Sequence, residues 1–405
     1  MPDTMLCTKT PDAVAGEESN SSTSHGPVEV RSLRSHVEQP HSNPCDFSNL
    51  QSPIAIRQFA SPHVTVLTND TRASYAAFVR AHPDATLFHS LAWCDAVADS
   101  FPHQPLHLIA RRDEQVVGAL PLFLVKSRLA GRIMVSVPYG VEGGILASDD
   151  ATSAALLAWA RDLAVEHRCC AIELRSRHAA IPDSPVDDRY VTFERELPDR
   201  AEDVPDWLPR KARAAARQGR DKHGLVADFG DHLLPEVWKL YARSMRRLAS
   251  ITYPLRFLNR LCSATPHRHG VCVVRHQGRP VAGLVTFFFR NRVMPYFVGM
   301  TDDARRYSAA NYLYFITTQR AVEAGFRIFD FGRTRRGNQG SFDFKRFHGF
   351  EPTPLAYQRI SLDSKAAPRL CPTDRRFALA RRLWPLLPLR LTTWLGSALS
   401  RDIPG

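Results

Sequence analysis

No stretch of the 405-residue chain reaches the run of about 18 apolar residues that a membrane-spanning helix needs. The N-terminus does not combine a basic stretch with an apolar core, so no secretory signal is expected and the sequence predicts a cytoplasmic protein. Cysteine occurs eight times, at positions 7, 45, 94, 169, 170, 262, 272 and 371, but never as C-x-x-C or at a zinc-type spacing. That pattern argues against a structural metal and predicts reduced thiols, with Cys169, Cys170 and Cys272 as small buried hydrophobes. Helix-turn-helix and zinc-type DNA-reading patterns are missing too, which removes DNA from the expected partners.

What remains is a globular composition, 44% hydrophobic and 23% charged, long enough for about two domains. The formal charge of +12 is uneven, concentrated at 210–222, 333–345 and the C-terminal tail. Such surfaces meet phosphates on nucleic acid, lipid headgroups, nucleotide-linked substrates or coenzyme A; an arginine-rich background composition explains the charge equally well.

The chain carries one supersecondary pattern twice. Residues 106–124 and 271–289 share an apolar run, a polar turn and a second apolar run, with Val116 matching Val281 and Gly118 matching Gly283 at an offset of 165. Arg132-Ile133-Met134 answers Arg292-Val293-Met294 at 160, and Ile172-Glu173-Leu174 answers Phe329-Asp330-Phe331 at 157. Each copy reads as hairpin, strand, helix, strand, which predicts an α+β fold of mixed sheets with local parallel pairing. The expected units are a disordered 1–60, a first domain over 61–225, a second over 226–360 carrying the active site, and a basic amphipathic arm over 361–405. In that arm Arg, Trp and Leu alternate across 375–395, and Pro385 and Pro388 break it into short pieces. The arm either packs back on the domains or lies on an anionic membrane face.

Residues 329–352 are the densest candidate for chemistry. Asp330 sits in an apolar strand and needs a partner if buried, with Arg333 the nearest in sequence. This pair is either structural or catalytic. Gly337 and Gly340 suggest a mobile loop, and Lys345 lies among aromatics, where an ammonium holds a phosphate or a developing oxyanion. Arg305-Arg306-Tyr307-Ser308-Ala309-Ala310 precedes the second copy's helix and is a degenerate form of a pyrophosphate-binding helix start; helix capping by Ser308 explains it as well.

Phe-Asp-Phe-Gly-Arg-Thr at 329–334, Phe344-Lys345 and Gly349-Phe350-Glu351-Pro352 resemble the FemAB family of acyltransferases, in particular its branch associated with exosortase/PEP-CTERM and exopolysaccharide systems. So do Phe88-His89, Gly118-x-x-Pro121-Leu122, Pro138-Tyr139-Gly140 with Gly143-Gly144, Glu173-Leu174-Arg175-Ser176 and Lys211-x-Arg213-x-x-x-Arg217. The resemblance spans about residues 60–400 and implies two tandem GNAT-like domains, here without the coiled-coil arm of tRNA-using members. His348 departs from the pattern, standing where this branch carries an aromatic residue.

The resemblance implies N-acyl transfer to an amine of a cell-envelope or exopolysaccharide glycan precursor, small or lipid-linked. No tightly bound cofactor is expected; an acyl-CoA-like donor is favoured over aminoacyl-tRNA. A non-catalytic scaffold at the inner membrane is the third reading. The expected catalytic residues are Lys345, Asp330 and Tyr296. Arg333, Arg213, Arg217 and Asp343 are expected at the substrate, and Arg305, Arg306 and Ser308 at the donor.

Overall fold

Alternating apolar residues build the strands, and where the alternation is interrupted the sheets divide. A computed structural model describes residues 61–182, 184–265, 268–362 and 377–403; the expectation for 1–60 lies outside them. In the first copy the apolar run at 116–125 is two strands, Gln115–Leu120 and Phe123–Ser127, parted at Pro121, whose missing N–H suits a strand end. Gln115–Leu120 joins a four-stranded antiparallel sheet with His63–Val66, Leu108–Arg112 and Leu146–Ala147. Phe123–Ser127 joins a six-stranded one. The corresponding run of the second copy stays whole as Arg279–Phe289, at the heart of an eight-stranded sheet.

Both copies contain a parallel pair joined by a crossover helix. Gly131–Val135 runs beside Ala171–Ser176 through helix Asp150–Glu166, and Arg292–Met300 beside Ile328–Asp330 through helix Ala309–Glu323. The second parallel ladder is short: Arg292↔Ile328 and Val293↔Phe329 pair, and the strands then diverge. Such a splay leaves backbone groups of the longer strand facing an opening.

The sheets exchange strands across the copies. Tyr190–Glu196, before the second copy in sequence, inserts beside Ile328–Asp330. Ala356–Ser361, after it, returns to pair with Ala171–Ser176. The described residues therefore build one interlocked body, and the junction of the copies is crossed by chain in both directions.

The hairpins correct the register of the sequence repeat. Asp113 and Glu114 in one turn, and Gln277 and Gly278 in the other, take positive φ. Ala110 pairs Gly118 where Val274 pairs Ala282. The equivalent offset is thus 164, one less than the sequence match, and both hairpins carry an irregularity at the same place beside the turn.

Candidate active site

Where the second parallel ladder ends, Asp330 occupies the first position past the last paired residue. It is buried and its cross-strand neighbour is Glu194. Gly332, at φ 67°, turns the chain so that its N–H donates to Asp330 Oδ1 at 2.7 Å. The sequence suggested Arg333 as the partner, but that guanidinium lies over the Tyr190 ring at 4.8 Å and donates to Tyr357 Oη at 3.4 Å. The charges acting on Asp330 come from elsewhere. Burial, then Glu194 and Glu142, raise its carboxyl to about 7, against the opposing pull of Arg292 and the Gly332 N–H.

Those neighbours form a network. Arg177 holds Glu142 through Nε (2.9 Å) and Nη2 (3.0 Å), and Glu194 through Nη1 (2.9 Å) and Nη2. Arg292 Nη1 lies 2.6 Å from Glu194 Oε1. Burial works to raise Glu194, but the hydrogen bonds from Arg177 and Arg292 outweigh it and hold its carboxyl well below the usual range. Glu194 therefore stays ionised, and its fixed charge keeps Asp330 protonatable near neutrality. None of these four partners was read from the sequence, because they come from four distant segments. The available signal was a charge inside an apolar strand, as at Glu194 in Val191-Thr192-Phe193-Glu194.

Asp330, Arg177 and Arg292 line a narrow cleft floored by Phe287, Phe289 and Met294. Thr86 and Arg177 continue its wall into a solvent-open groove of about 890 Å³, which carries Asp84, Glu142, Asp149 and Asp150. The loop at 137–144 borders this junction under strain, with Val137 and Tyr139 at φ 56° and 61°. Two tyrosines clamp it: Tyr296 donates to the Tyr139 carbonyl and Tyr357 to the Val141 carbonyl.

The remaining candidates divide. Tyr296 is packed among Phe88, Trp93 and Phe297 with its hydroxyl committed to Tyr139, and burial raises its pKa well above the ordinary phenol. It supports the loop and is not among the residues lining the cleft. Lys345 is buried on helix Gln339–Phe347 and donates to the carbonyls of Phe331 (2.9 Å), Gly332 (2.8 Å) and Arg333 (3.3 Å), with Phe193 beneath it at 5.0 Å. An ammonium has three donors, and these carbonyls engage all three, so Lys345 braces the turn after Asp330. Asp343 sits two residues earlier on that helix, hence on another face; it is exposed and accepts from Gln339 at 2.6 Å. The loop expected at 337–340 is partly that helix's first turn, capped by Asn338. His348 is the neutral aromatic the position calls for: burial lowers it to about 4, and it packs 4.4 Å from the Phe344 ring.

Arg213 and Arg217 are not at the cleft. They line a recess with Arg220 against Phe315 of the crossover helix, and Arg213 is paired with Asp206. Nearby, the glycine at 219 packs against Tyr307 and Tyr312, where that helix starts. Arg305 and Arg306 are exposed just ahead of it. Ser308 takes the left-handed conformation (φ 55°, ψ 29°) and its side chain caps nothing in the helix, so the capping reading fails. The position has the backbone of a glycine with the side chain of a serine.

Comparison with known proteins agrees with this geometry. Residues 194–346 match the family model of the acetyltransferase (GNAT) domain. No curated protein matches the chain. The chain is similar to the crystal structure of FemX, with TM-score 0.58 and 13% identity over 74% of this chain and 97% of that one. It is also similar to a tandem GNAT protein from the clavulanic acid biosynthesis pathway, with TM-score 0.50 and 14% identity over 76% of this chain and 100% of that one. At these identities the likeness shows the fold. The chain has a tandem GNAT fold like that of FemX, and its residues 194–346 match the GNAT acetyltransferase domain, which supports an acyltransferase.

Proposed function

We propose that the protein transfers an acyl group from an acyl-CoA donor to the amine of an acceptor that enters through the Asp84–Asp150 groove, with Asp330 as general base. The observation that carries this is Asp330 itself: a buried carboxyl raised to about 7, at the mouth of the strand splay, on a cleft reaching solvent. A base with that pKa is about half ionised at neutral pH and still takes a proton readily.

The acceptor arrives as an ammonium, which the carboxylates of the groove favour electrostatically, and gives a proton to Asp330. Its nitrogen attacks the thioester carbonyl, forming the C–N bond. The C–S bond breaks, and the thiolate leaves and takes up the second proton of the attacking nitrogen, while Asp330 returns the first to solvent. Backbone N–H groups of Arg292–Met300 beyond Val293 are suited to hold the carbonyl oxygen as its charge develops. The uncapped helix start at Ser308, with Arg305 and Arg306 beside it and Arg217 and Arg220 close by, suits the donor's phosphates. Lys345, Arg333 and Tyr296 are positioning residues in this scheme. The acceptor class that suits the groove is an amine of a glycan precursor of the cell envelope or exopolysaccharide.

The test is thermal stability of the full chain with coenzyme A, acetyl-CoA or aminoacylated tRNA added separately. A donor that binds only the folded state raises the midpoint by mass action. A rise with coenzyme A that Arg305→Ala and Arg306→Ala together remove supports the scheme. A rise with charged tRNA alone replaces the donor, and no rise with any of the three overturns the donor site.

A further inference from the structure

The C-terminal arm is built inside out for a surface element facing water. A helix on a soluble protein turns its apolar stripe inward and its polar residues outward. Helix Leu389–Ser400 does the reverse: Thr392, Gly396 and Ser400, at four-residue spacing, face the body, while Leu391 and Trp394 face out. The contact it makes is close, since a Cβ on Gly396 would lie 2.9 Å from the Thr252 nitrogen. Ahead of it, helix Ala378–Leu383 and the turn Trp384–Leu386 buries none of its residues.

The arm is nevertheless fixed in place. The Asp402 carboxylate accepts from the Arg128 N–H (2.8 Å), Nε (3.0 Å) and Nη2 (2.6 Å), Ser127 Oγ donates to the Asp402 carbonyl at 2.7 Å, and Tyr139 Oη donates to the Ser400 carbonyl at 2.8 Å. So the outward apolar residues belong to a docked element.

Among the described residues, five of the twelve exposed large apolar side chains fall within 379–394: Leu379, Leu383, Leu386, Leu391 and Trp394. Leu386 is 78% exposed and Trp394 67%. The charges among them have one sign. Arg382, Arg390 and Arg401 are exposed, no carboxylate occurs from 377 to 401, and the acid that follows, Asp402, is buried against Arg128. Beside the arm, Arg243, Arg246 and Arg247 line a recess with Pro385, which also holds Asp302, paired with Arg247 at 2.5 Å, and Asp303.

We infer that this arm docks the protein onto an anionic lipid bilayer, its leucines and Trp394 entering the headgroup boundary while the arginines meet lipid phosphates. Apolar residues interleaved with cations are the composition of an interfacial element. A second copy of the chain is a poorer occupant, because a symmetric contact through this face would bring Arg382 and Arg390 towards like charges. The inference does not depend on the chemistry proposed for the cleft.

Flotation of the full-length protein with vesicles of phosphatidylcholine alone, or of phosphatidylcholine with phosphatidylglycerol, tests it. Binding is expected to the anionic vesicles only and to weaken with salt. The double variant Leu386→Glu/Trp394→Glu, and separately Arg382→Glu/Arg390→Glu, should each weaken it by about tenfold or more. Circular dichroism of both variants should match wild type, because these side chains project from the body. Wild type that fails to float with anionic vesicles, or a folded double variant that floats undiminished, overturns the inference. So does sedimentation showing a dimer that Leu386→Glu/Trp394→Glu dissociates, with no vesicle binding.

Discussion

The two halves place an acid at the end of a parallel ladder and a helix start after it, yet only the second leaves either available. In the first half the ladder ends at Val135↔Glu173, and Glu173 is met by Arg359 at 3.4 Å and Arg175 at 3.9 Å. In the second, Asp330 has Glu194 beside it on the neighbouring strand and Glu142 close enough to act on it, and is raised to about 7. The first crossover helix has its N-terminus closed by Asp149, whose Oδ1 accepts the Thr152 N–H at 2.8 Å and whose Oδ2 pairs with Arg112 at 3.0 Å. The second is preceded by Ser308, left-handed and offering no side-chain cap. A helix N-terminus holds one anion, and in the first half a carboxylate of the chain already occupies it. The duplicated fold thus supplies two equivalent openings, and local side chains close one of them.

The largest way to break that asymmetry is to remove the base. Asp330→Asn should lower kcat by roughly 100- to 10,000-fold while Glu173→Gln leaves it near wild type. In wild type kcat should rise with pH through about 7 as Asp330 ionises. Stability should move the other way. The folded carboxyl binds its proton more tightly than the ordinary value of 3.8, so stability falls as pH rises from about 4 to 7. Asp330→Asn should lose that slope and match or exceed wild-type stability at neutral pH. A variant that keeps full activity would move the proton to water or to another group.

Next in size is a swap of helix starts. Ser308→Asp places a negative charge at the second helix start and should raise KM for acyl-CoA by about tenfold or more, with a smaller change in kcat. Unchanged KM would mean that the donor phosphates lie elsewhere.

A third effect is on stability. Lys345→Met leaves the carbonyls of Phe331, Gly332 and Arg333 without their buried donor and should cost about 2–4 kcal/mol by denaturant unfolding. Lys345→Arg, which keeps the charge, should recover part of both stability and kcat. If Lys345→Met is as stable as wild type yet inactive, the lysine touches substrate in a conformation other than this one.

The halves themselves were legible because hydrophobic periodicity repeats in order, and the crossover helices fall where helical spacing places them. The finer register was not. Matching Gly118 to Gly283 is one residue out, which reverses the faces: a Cβ on Gly118 would strike Thr152 and Leu156 of the crossover helix, whereas one on Gly283 would meet Val237 and Leu240 of helix Leu234–Arg247. Sequence similarity aligns residue types, while bulges set faces. Asp330 and Lys345 stood out by composition, but their relation did not. Fifteen residues apart, they meet opposite sides of one turn, and of Asp330's charged neighbours Glu194 comes from an exchanged strand while Glu142 and Arg177 come from loops. Arg213 and Arg217 were visible as a basic run; that the run packs along the second crossover helix is a tertiary fact with no local signal.

The smallest expected effect bears on whether closure of the first half is structural. Asp149→Ala should lower stability by about 1 kcal/mol, the usual contribution of an N-cap, and leave kcat and the KM for donor unchanged at saturating acceptor. Hydrogen bonds from Arg112 and from the Thr152 N–H hold the Asp149 carboxyl below the ordinary 3.8. Its stabilisation is therefore present above that pH and fades as pH falls, so the difference between variant and wild type should shrink in acid. Ser308→Gly, at the equivalent start in the second half, should act in the opposite direction, gaining about 0.5–1 kcal/mol by relieving a left-handed serine. The opposite signs reflect a cap lost at Asp149 and backbone strain relieved at Ser308. If Asp149→Ala also raised the KM for donor, the first half would be contributing to the site it is taken here to leave alone.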